Sequence, residues 1–364
     1  MPASFYQPLY FIIVTILTIS IVNKYSSFKT RMRPRYLSYQ GESFLLAVFL
    51  IIFIGLRPID GNYFTDMASY NDEYYIAYFG ARFWFDWDTE NLLFDNLKIW
   101  MASQRIDIEY FFFLISVIYF IFMYWASKKM FPKDTLLAFL VYLGAFSTFS
   151  YGTNGIKAGA AASFYLVALA YYFENKKILV ALFLFLSYSF HHAMLAPIVA
   201  FICAHYYKKP QNYLYGWFFC LFLAALHITF FMNLFSGYTD EHGATYLQEE
   251  TENVVKNVSG FRIDFIIYSA IPLFYGYYCI TRKKYASKAY VFLWCTYTLT
   301  NCVFLLCTYG SYINRIAYLS WLMIPYILLY PCVNIPWNKT QELTTKYVVY
   351  CHLCFTLFMF FIYY

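Results

Sequence analysis

The chain alternates long apolar runs with short polar breaks from one end to the other. Each run is about as long as the roughly 20 helical residues that cross a hydrocarbon core of ~30 Å. Lipid offers the backbone no hydrogen-bond partners, and the two-residue alternation of a barrel strand is missing, so the runs read as helices. Runs starting near positions 8, 44, 109, 135, 156, 177, 192, 213, 262, 289, 313 and 347 predict twelve spans. The first, Leu9 to Val22, is long enough to serve as an uncleaved span. The expectation is an all-α, polytopic integral membrane protein, a single transmembrane domain over 1–364.

Two intervals interrupt the pattern. Segment 57–108 is too long for a bare connection, and its stretch "FDNLKIWMASQRID" sets Phe94, Leu97, Ile99, Trp100 and Met101 among polar residues. That predicts a short amphipathic helix lying on the outer membrane surface. The second interval, about 235–261, is acidic and short of large apolar residues, which suits either a lid over a site or a tether. Its Asn257-Val258-Ser259 matches a glycosylation sequon only at chance level.

Composition agrees with a membrane protein. Hydrophobic residues make up 62% and charged residues 13%, against about 25% charged in soluble domains. The 9 cysteines lie in apolar runs or at their basic ends, where a free thiol behaves as a small hydrophobe. Cys351 and Cys354 spell C-x-x-C without a second ligand pair, so neither a disulfide framework nor a metal is implied. No cofactor or nucleic-acid partner is expected. The 41 Tyr and 41 Phe fit sugar stacking, interfacial belts or codon bias alike.

Charge divides the connections into two sets. Lys24, Lys29, Arg31, Arg33 and Arg35, then Lys128, Lys129 and Lys133, Lys176 and Lys177, Lys208 and Lys209, Arg282 to Lys288, and Lys339 and Lys346 fill alternate segments. The positive-inside bias puts these in the cytoplasm and both termini outside. Most of the 20 acids fall on the opposite side. Against that trend, Arg57, Lys157, Arg262 and Arg315 stand at the outer ends of four different spans. Snorkelling or pairing with acids is the ordinary reading of such cations, and it suffices for Arg82, Lys98, Arg105 and Lys256. Four cations at one membrane depth would make a phosphate site. Asp66, Tyr70, Asp72 and Glu73 follow just outside, and an acidic, aromatic loop above a basic ring suits a sugar attached to a phosphate.

The stretch "LSYSFHHAMLAP" sets His191 and His192 inside an apolar run bounded by Lys176/Lys177 and Lys208/Lys209. Both bounds read as cytoplasmic, yet the residues between them are fewer than the roughly 40 that two full crossings need. A shallow hairpin follows, with its turn at the histidines in a covered or watered recess that opens outward. Helix capping is the competing reading for the pair. His205, His227 and His352, each alone in an apolar run, read as satisfied core or interface residues.

At these residues the chain resembles the EpsG family of bacterial exopolysaccharide proteins, a branch of the Wzy-type O-antigen and capsule polymerases. The resemblance is carried by "GLRPIDGNYFTDMASYNDEY", "ENLLFDNLKIW", "TNGIKAGAAASFYLVALAYYFENKK", "FHHAML" and "YINRIAYL", in that order. It marks Arg57, Asp66, Tyr70, Glu90, Lys157, His191 and Arg315 as family-motif positions. Lys157-Ala158 departs from the family's Arg-Gln, keeping the charge but losing the guanidinium fork. His192 falls on the variable position, which favours His191.

The resemblance implies a polymerase, GT-C-like in architecture, that joins polysaccharide repeat units carried on undecaprenyl diphosphate at the outer face of the bacterial inner membrane. It needs no nucleotide sugar. The implied partners are the lipid-linked oligosaccharide, the bilayer, and a flippase and chain-length regulator of the same pathway. Arg57, Lys157, Arg315 and Arg262 would hold the diphosphate, Tyr70 and Asp72 the sugar, and one of His191, Asp66 and Glu90 would act as base. A lipid-linked oligosaccharide flippase and a polysaccharide acyltransferase are the rival readings.

Overall fold

A computed structural model describes residues 1–27, 39–80, 82–236, 261–285, 287–310, 312–334 and 341–363. Among them the secondary structure is helical throughout. The helices are α1 (Tyr6–Ser27), α2 (Gln40–Gly55), α3 (Thr65–Gly80), α4 (Leu92–Ser103), α5 (Ile108–Met130), α6 (Thr135–Leu143), α7 (Phe146–Thr153), α8 (Ile156–Phe173) and α9 (Lys177–Phe190). There follow α10 (Leu195–Tyr206), α11 (Pro210–Ala225), α12 (Phe230–Ser236), α13 (Ile263–Thr281), α14 (Lys288–Leu306), α15 (Ile313–Trp321), α16 (Ile324–Asn334) and α17 (Gln341–Phe358). Two compact units divide the chain, one of 1–191 with 336–364 and the other of 192–335.

Seven helical stretches among the described residues are long and apolar enough to cross a membrane, or eight when the bent pair α6 and α7 counts as one. The protein is therefore a polytopic, all-helical membrane protein. Every expected span start falls at or near a helix, but the helices differ in reach. α2, α9, α10 and α11 have 16, 14, 12 and 16 residues, short of the roughly 20 that a full crossing takes. Seven or eight of the twelve expected spans therefore meet the length of a full crossing among the described residues. The acidic interval near 235–261, with its lid or tether reading, lies almost wholly outside the described residues, as do Lys29, Arg31, Arg33, Arg35 and Lys339.

The first unit is built around α5 and α8, with α9 and α2 packed against them. Small residues make the close approach possible. Gly159, Ala160, Ala161 and Ala162 are all buried, and a Cβ on Gly159 would lie 2.4 Å from the carbonyl oxygen of Tyr151. Only glycine fits there. Ser187 of α9 then donates to the Ala161 carbonyl at 2.8 Å, tying α9 to the same small-residue face.

α6 and α7 meet at a bend of 75°. Breaking a helix orphans the carbonyls of its last turn, and lipid cannot satisfy them. Side chains do so here. The Tyr10 hydroxyl donates to Leu143 at 2.8 Å and the Thr148 hydroxyl to Tyr142 at 2.7 Å. Nε2 of buried His352 lies 3.2 Å from the Val141 carbonyl, in keeping with a satisfied core histidine.

In the second unit α14 is the buried centre, packed by α10, α11, α13, α15 and α16. Asn301 of α14 joins four helices. It accepts from the Trp217 indole at 2.7 Å and donates to the Ser269 and Ser320 hydroxyls at 3.0 and 2.9 Å. Trp321 adds an indole bond to Ser269 at 2.8 Å.

Candidate functional site

α2 ends in an apolar stretch at Gly55, and Arg57 is the first charged residue beyond it. Its side chain does not reach for solvent. Only 4% of it is exposed, and it turns back to donate through one terminal nitrogen to the Ile54 carbonyl at 2.8 Å and through the other to the Thr153 carbonyl at 2.7 Å. The rings of Phe64 and Phe112 flank the guanidinium at 5.5 and 5.7 Å. Its Nε is buried with no hydrogen-bond partner, and no described carboxylate forms an ion pair with it. A buried guanidinium answered only by two carbonyl dipoles and two ring faces keeps most of its charge unbalanced.

Thr153 closes α7, and the chain then turns through Asn154 and Gly155 to start α8. Arg57 is thereby fastened to the junction from which α8 departs. Lys157, partly buried, occupies the first turn of that 18-residue helix. The unpaired N–H groups and the dipole of a helix start favour anions, and Lys157 adds a full charge there. Cation, helix start and second cation thus belong to one local assembly within the first unit.

The acidic and aromatic candidates sit on helices, not on a loop. Segment 57–108 holds two helices, where the sequence pattern suggested one. α3 was hidden because its only buried side chains, Met67 and Tyr74, are seven residues apart amid polar neighbours. Asp66, partly buried, lies in its first turn, and Asp72 is exposed. α4 turns Phe94, Met101 and Ala102 inward, packing on α3, α5 and α9. Its apolar face therefore meets protein. Glu90 is exposed two residues before α4 begins.

Phe94 collects three helices. Its ring centroid lies 5.8 Å from Tyr70 of α3, 5.4 Å from Phe111 of α5 and 6.2 Å from Phe190, the last residue of α9. This chain of rings sets Tyr70 and the end of α9 in one neighbourhood, and His191 is the next residue. The ammonium of Lys98 lies over Tyr70 at 6.0 Å and pairs with Glu73. Sequence reasoning counted Phe94 as a membrane-facing residue and missed this role. Lys98 was read as a loop cation paired with a nearby acid; the pairing stands, and the residue lies on α4.

His191 leaves helical geometry, with φ −154° and ψ 114°, after its N–H closes α9 on the Ser187 carbonyl at 3.1 Å. His192 to Met194 form a short 3-10 turn before α10. The helical run therefore breaks at the histidines, and both residues are partly exposed.

Arg262 and Arg315 belong to the second unit. Asp264 takes Arg262 in a two-point grip that includes a 2.9 Å bond from Nε to Oδ1, with the Phe265 ring 4.2 Å below. Its charge is already balanced. Arg315 is exposed in the first turn of α15, with its guanidinium 5.3 Å from the Tyr312 ring.

The frame is that of a polytopic helical membrane protein carrying a buried guanidinium on the carbonyls of Ile54 and Thr153, at the junction from which α8 departs. The family is specific. The EpsG family model matches residues 43–364, and the chain belongs to that family. Membership is consistent with a Wzy-type polysaccharide polymerase and points to glycosyltransferase-like polymerisation in general. No curated protein and no solved structure matches the chain.

Proposed function

We propose that the protein elongates polysaccharide by joining repeat units carried on undecaprenyl diphosphate, at the periplasmic face of the bacterial inner membrane. The observation that carries the reading is Arg57: a buried, uncompensated guanidinium bound to the junction that starts α8, with Lys157 in the first turn of that helix. A diphosphate supplies the missing charge. In the proposed reaction the bond between the anomeric carbon of the growing chain and its phosphate oxygen breaks, and a new bond forms from that carbon to a hydroxyl of the incoming lipid-linked unit. Undecaprenyl diphosphate departs with the bonding electrons. Arg57 and Lys157 stabilise the charge that gathers on it, an effect that needs no proton transfer and no metal.

The acceptor proton passes to a base. His191 is the first candidate, because the Phe94 ring cluster brings the end of α9 together with Tyr70. Asp66 and Glu90 are the alternatives, and Tyr70 and Asp72, on different faces of α3, are the candidate sugar contacts. Arg315 and Arg262 belong to the second unit, where Asp264 already holds Arg262. The orientation follows from the lysine and arginine bias: both termini and segment 57–108 outside, with α2, α9, α10 and α11 completing twelve crossings.

The test is incubation of the purified protein in detergent with undecaprenyl-diphosphate-linked repeat units and no nucleotide sugar. A ladder of lengthened lipid-linked glycans is expected. Unchanged glycan length, with the units instead translocated in vesicles or acylated, would replace this reading with a flippase or an acyltransferase.

A further inference from the structure

Outside its spans, the first unit leaves a run of large apolar side chains uncovered. Ile76 is 77% exposed, Phe79 75%, Trp84 78% and Trp87 76%. Three observations give this run an occupant. The first is a change of polarity along α3. Thr65, Ser69, Asp72, Ile76 and Phe79 are spaced by three or four and share the face opposite Met67 and Tyr74. That face is polar in its first half and apolar in its second, so the two halves meet different surroundings.

The second observation fixes depth. The Tyr74 hydroxyl donates to the Ile106 carbonyl at 2.7 Å, two residues before the 23-residue span α5 begins. The guanidinium of Arg105, also at that boundary, lies 5.2 Å from the Tyr78 ring. The apolar half of α3 is thereby held at the level where a span leaves the hydrocarbon, which is the headgroup zone. Tyr75, Tyr78 and Phe79 stack there within 5.2 to 6.0 Å of one another, the amphipathic ring chemistry of an interfacial belt.

The third observation is that the turn carrying the two indoles is pinned. The Asp86 N–H donates to Oδ1 of Asn96 at 2.8 Å, and Nδ2 of that buried Asn96 donates back to the Asp86 carbonyl at 2.7 Å. Trp84 and Trp87 are displayed by a held backbone. Asp86 and Asp88 beside them would also suit a sugar-stacking platform, but the exposed aliphatic Ile76 and the depth set by Tyr74 favour lipid.

We propose that the second half of α3 and the turn at 82–87 form an interfacial seat. Ile76, Phe79, Trp84 and Trp87 insert at the boundary of headgroups and acyl chains, on the side where α5 begins, and Arg82 and Arg105 face lipid phosphates. The seat is independent of which reaction the protein performs.

The test uses the full chain in vesicles of phosphatidylcholine and phosphatidylglycerol whose acyl chains are brominated near the headgroup end. The emission lost on making the double variant Trp84→Phe/Trp87→Phe is the signal of the two indoles. That difference emission is expected to be quenched by the brominated lipid and shielded from aqueous acrylamide, with the melting temperature unchanged. Phe79→Trp in the double-variant background is expected to restore bromine-quenched emission. Difference emission that acrylamide quenches and brominated lipid does not would overturn the seat. A shift on adding soluble repeat-unit oligosaccharide would also overturn it, in favour of a sugar platform.

Discussion

Asn301 in the second unit and Arg57 in the first are both almost wholly buried, yet their polar atoms are answered on different terms. The Asn301 amide uses its oxygen and both hydrogens on neutral partners drawn from α11, α13 and α15. Arg57 has two carbonyl oxygens and two ring faces, an unused Nε, and no described counter-charge. A neutral network whose members satisfy one another fixes how helices pack. A buried charge without its opposite costs folding free energy. Under the proposed function, the difference separates a residue that holds the fold from one that holds the substrate.

Replacing each residue should therefore move different observables. Arg57→Ala is expected to slow elongation by about a hundred- to a thousand-fold, the range for losing one preorganised stabiliser of developing charge, worth about 2.7–4 kcal/mol. Its melting temperature in detergent should fall less than that of Asn301→Ala, because losing the desolvated charge offsets the two carbonyls left unbonded. Asn301→Ala is expected to do the reverse. It strands the Trp217 indole N–H, while Ser269 and Ser320 keep their bonds to Trp321 and Ala317, costing about 1–3 kcal/mol for the one buried unsatisfied group. Activity per folded molecule should be retained, which chemical denaturation and elongation assays on the same sample would check. Gly159→Ala sharpens the contrast from the packing side. Its methyl would press on the Tyr151 carbonyl at the junction carrying Lys157, costing about 1–3 kcal/mol and lowering elongation with it.

What could be read from the sequence follows the same division. Apolar blocks announce helices, and the shortage of residues between Lys176 and Lys209 announced the helix break that falls at His191. Arg57 and Lys157 were legible as cations on the wrong side of a charge pattern. The bond from Arg57 to the Thr153 carbonyl was not, because no sequence pattern reports which backbone atom a side chain reaches across 96 positions. α3 escaped for a related reason, since two buried residues among polar ones give no helical stripe. Arg262 resembled Arg57 in sequence, and Asp264 two residues on explains why it differs in structure.

The central claim is that the Arg57 guanidinium is the resident half of an ion pair completed by a lipid diphosphate. The most direct measurement is binding of undecaprenyl diphosphate to the purified protein, titrated in detergent for the parent, Arg57→Lys and Arg57→Ala. The account predicts saturable binding by the parent, weaker binding by the lysine variant, which keeps the charge without the fork, and loss of binding by the alanine variant in a sample that remains folded. Parent-level affinity in a folded Arg57→Ala protein would contradict it.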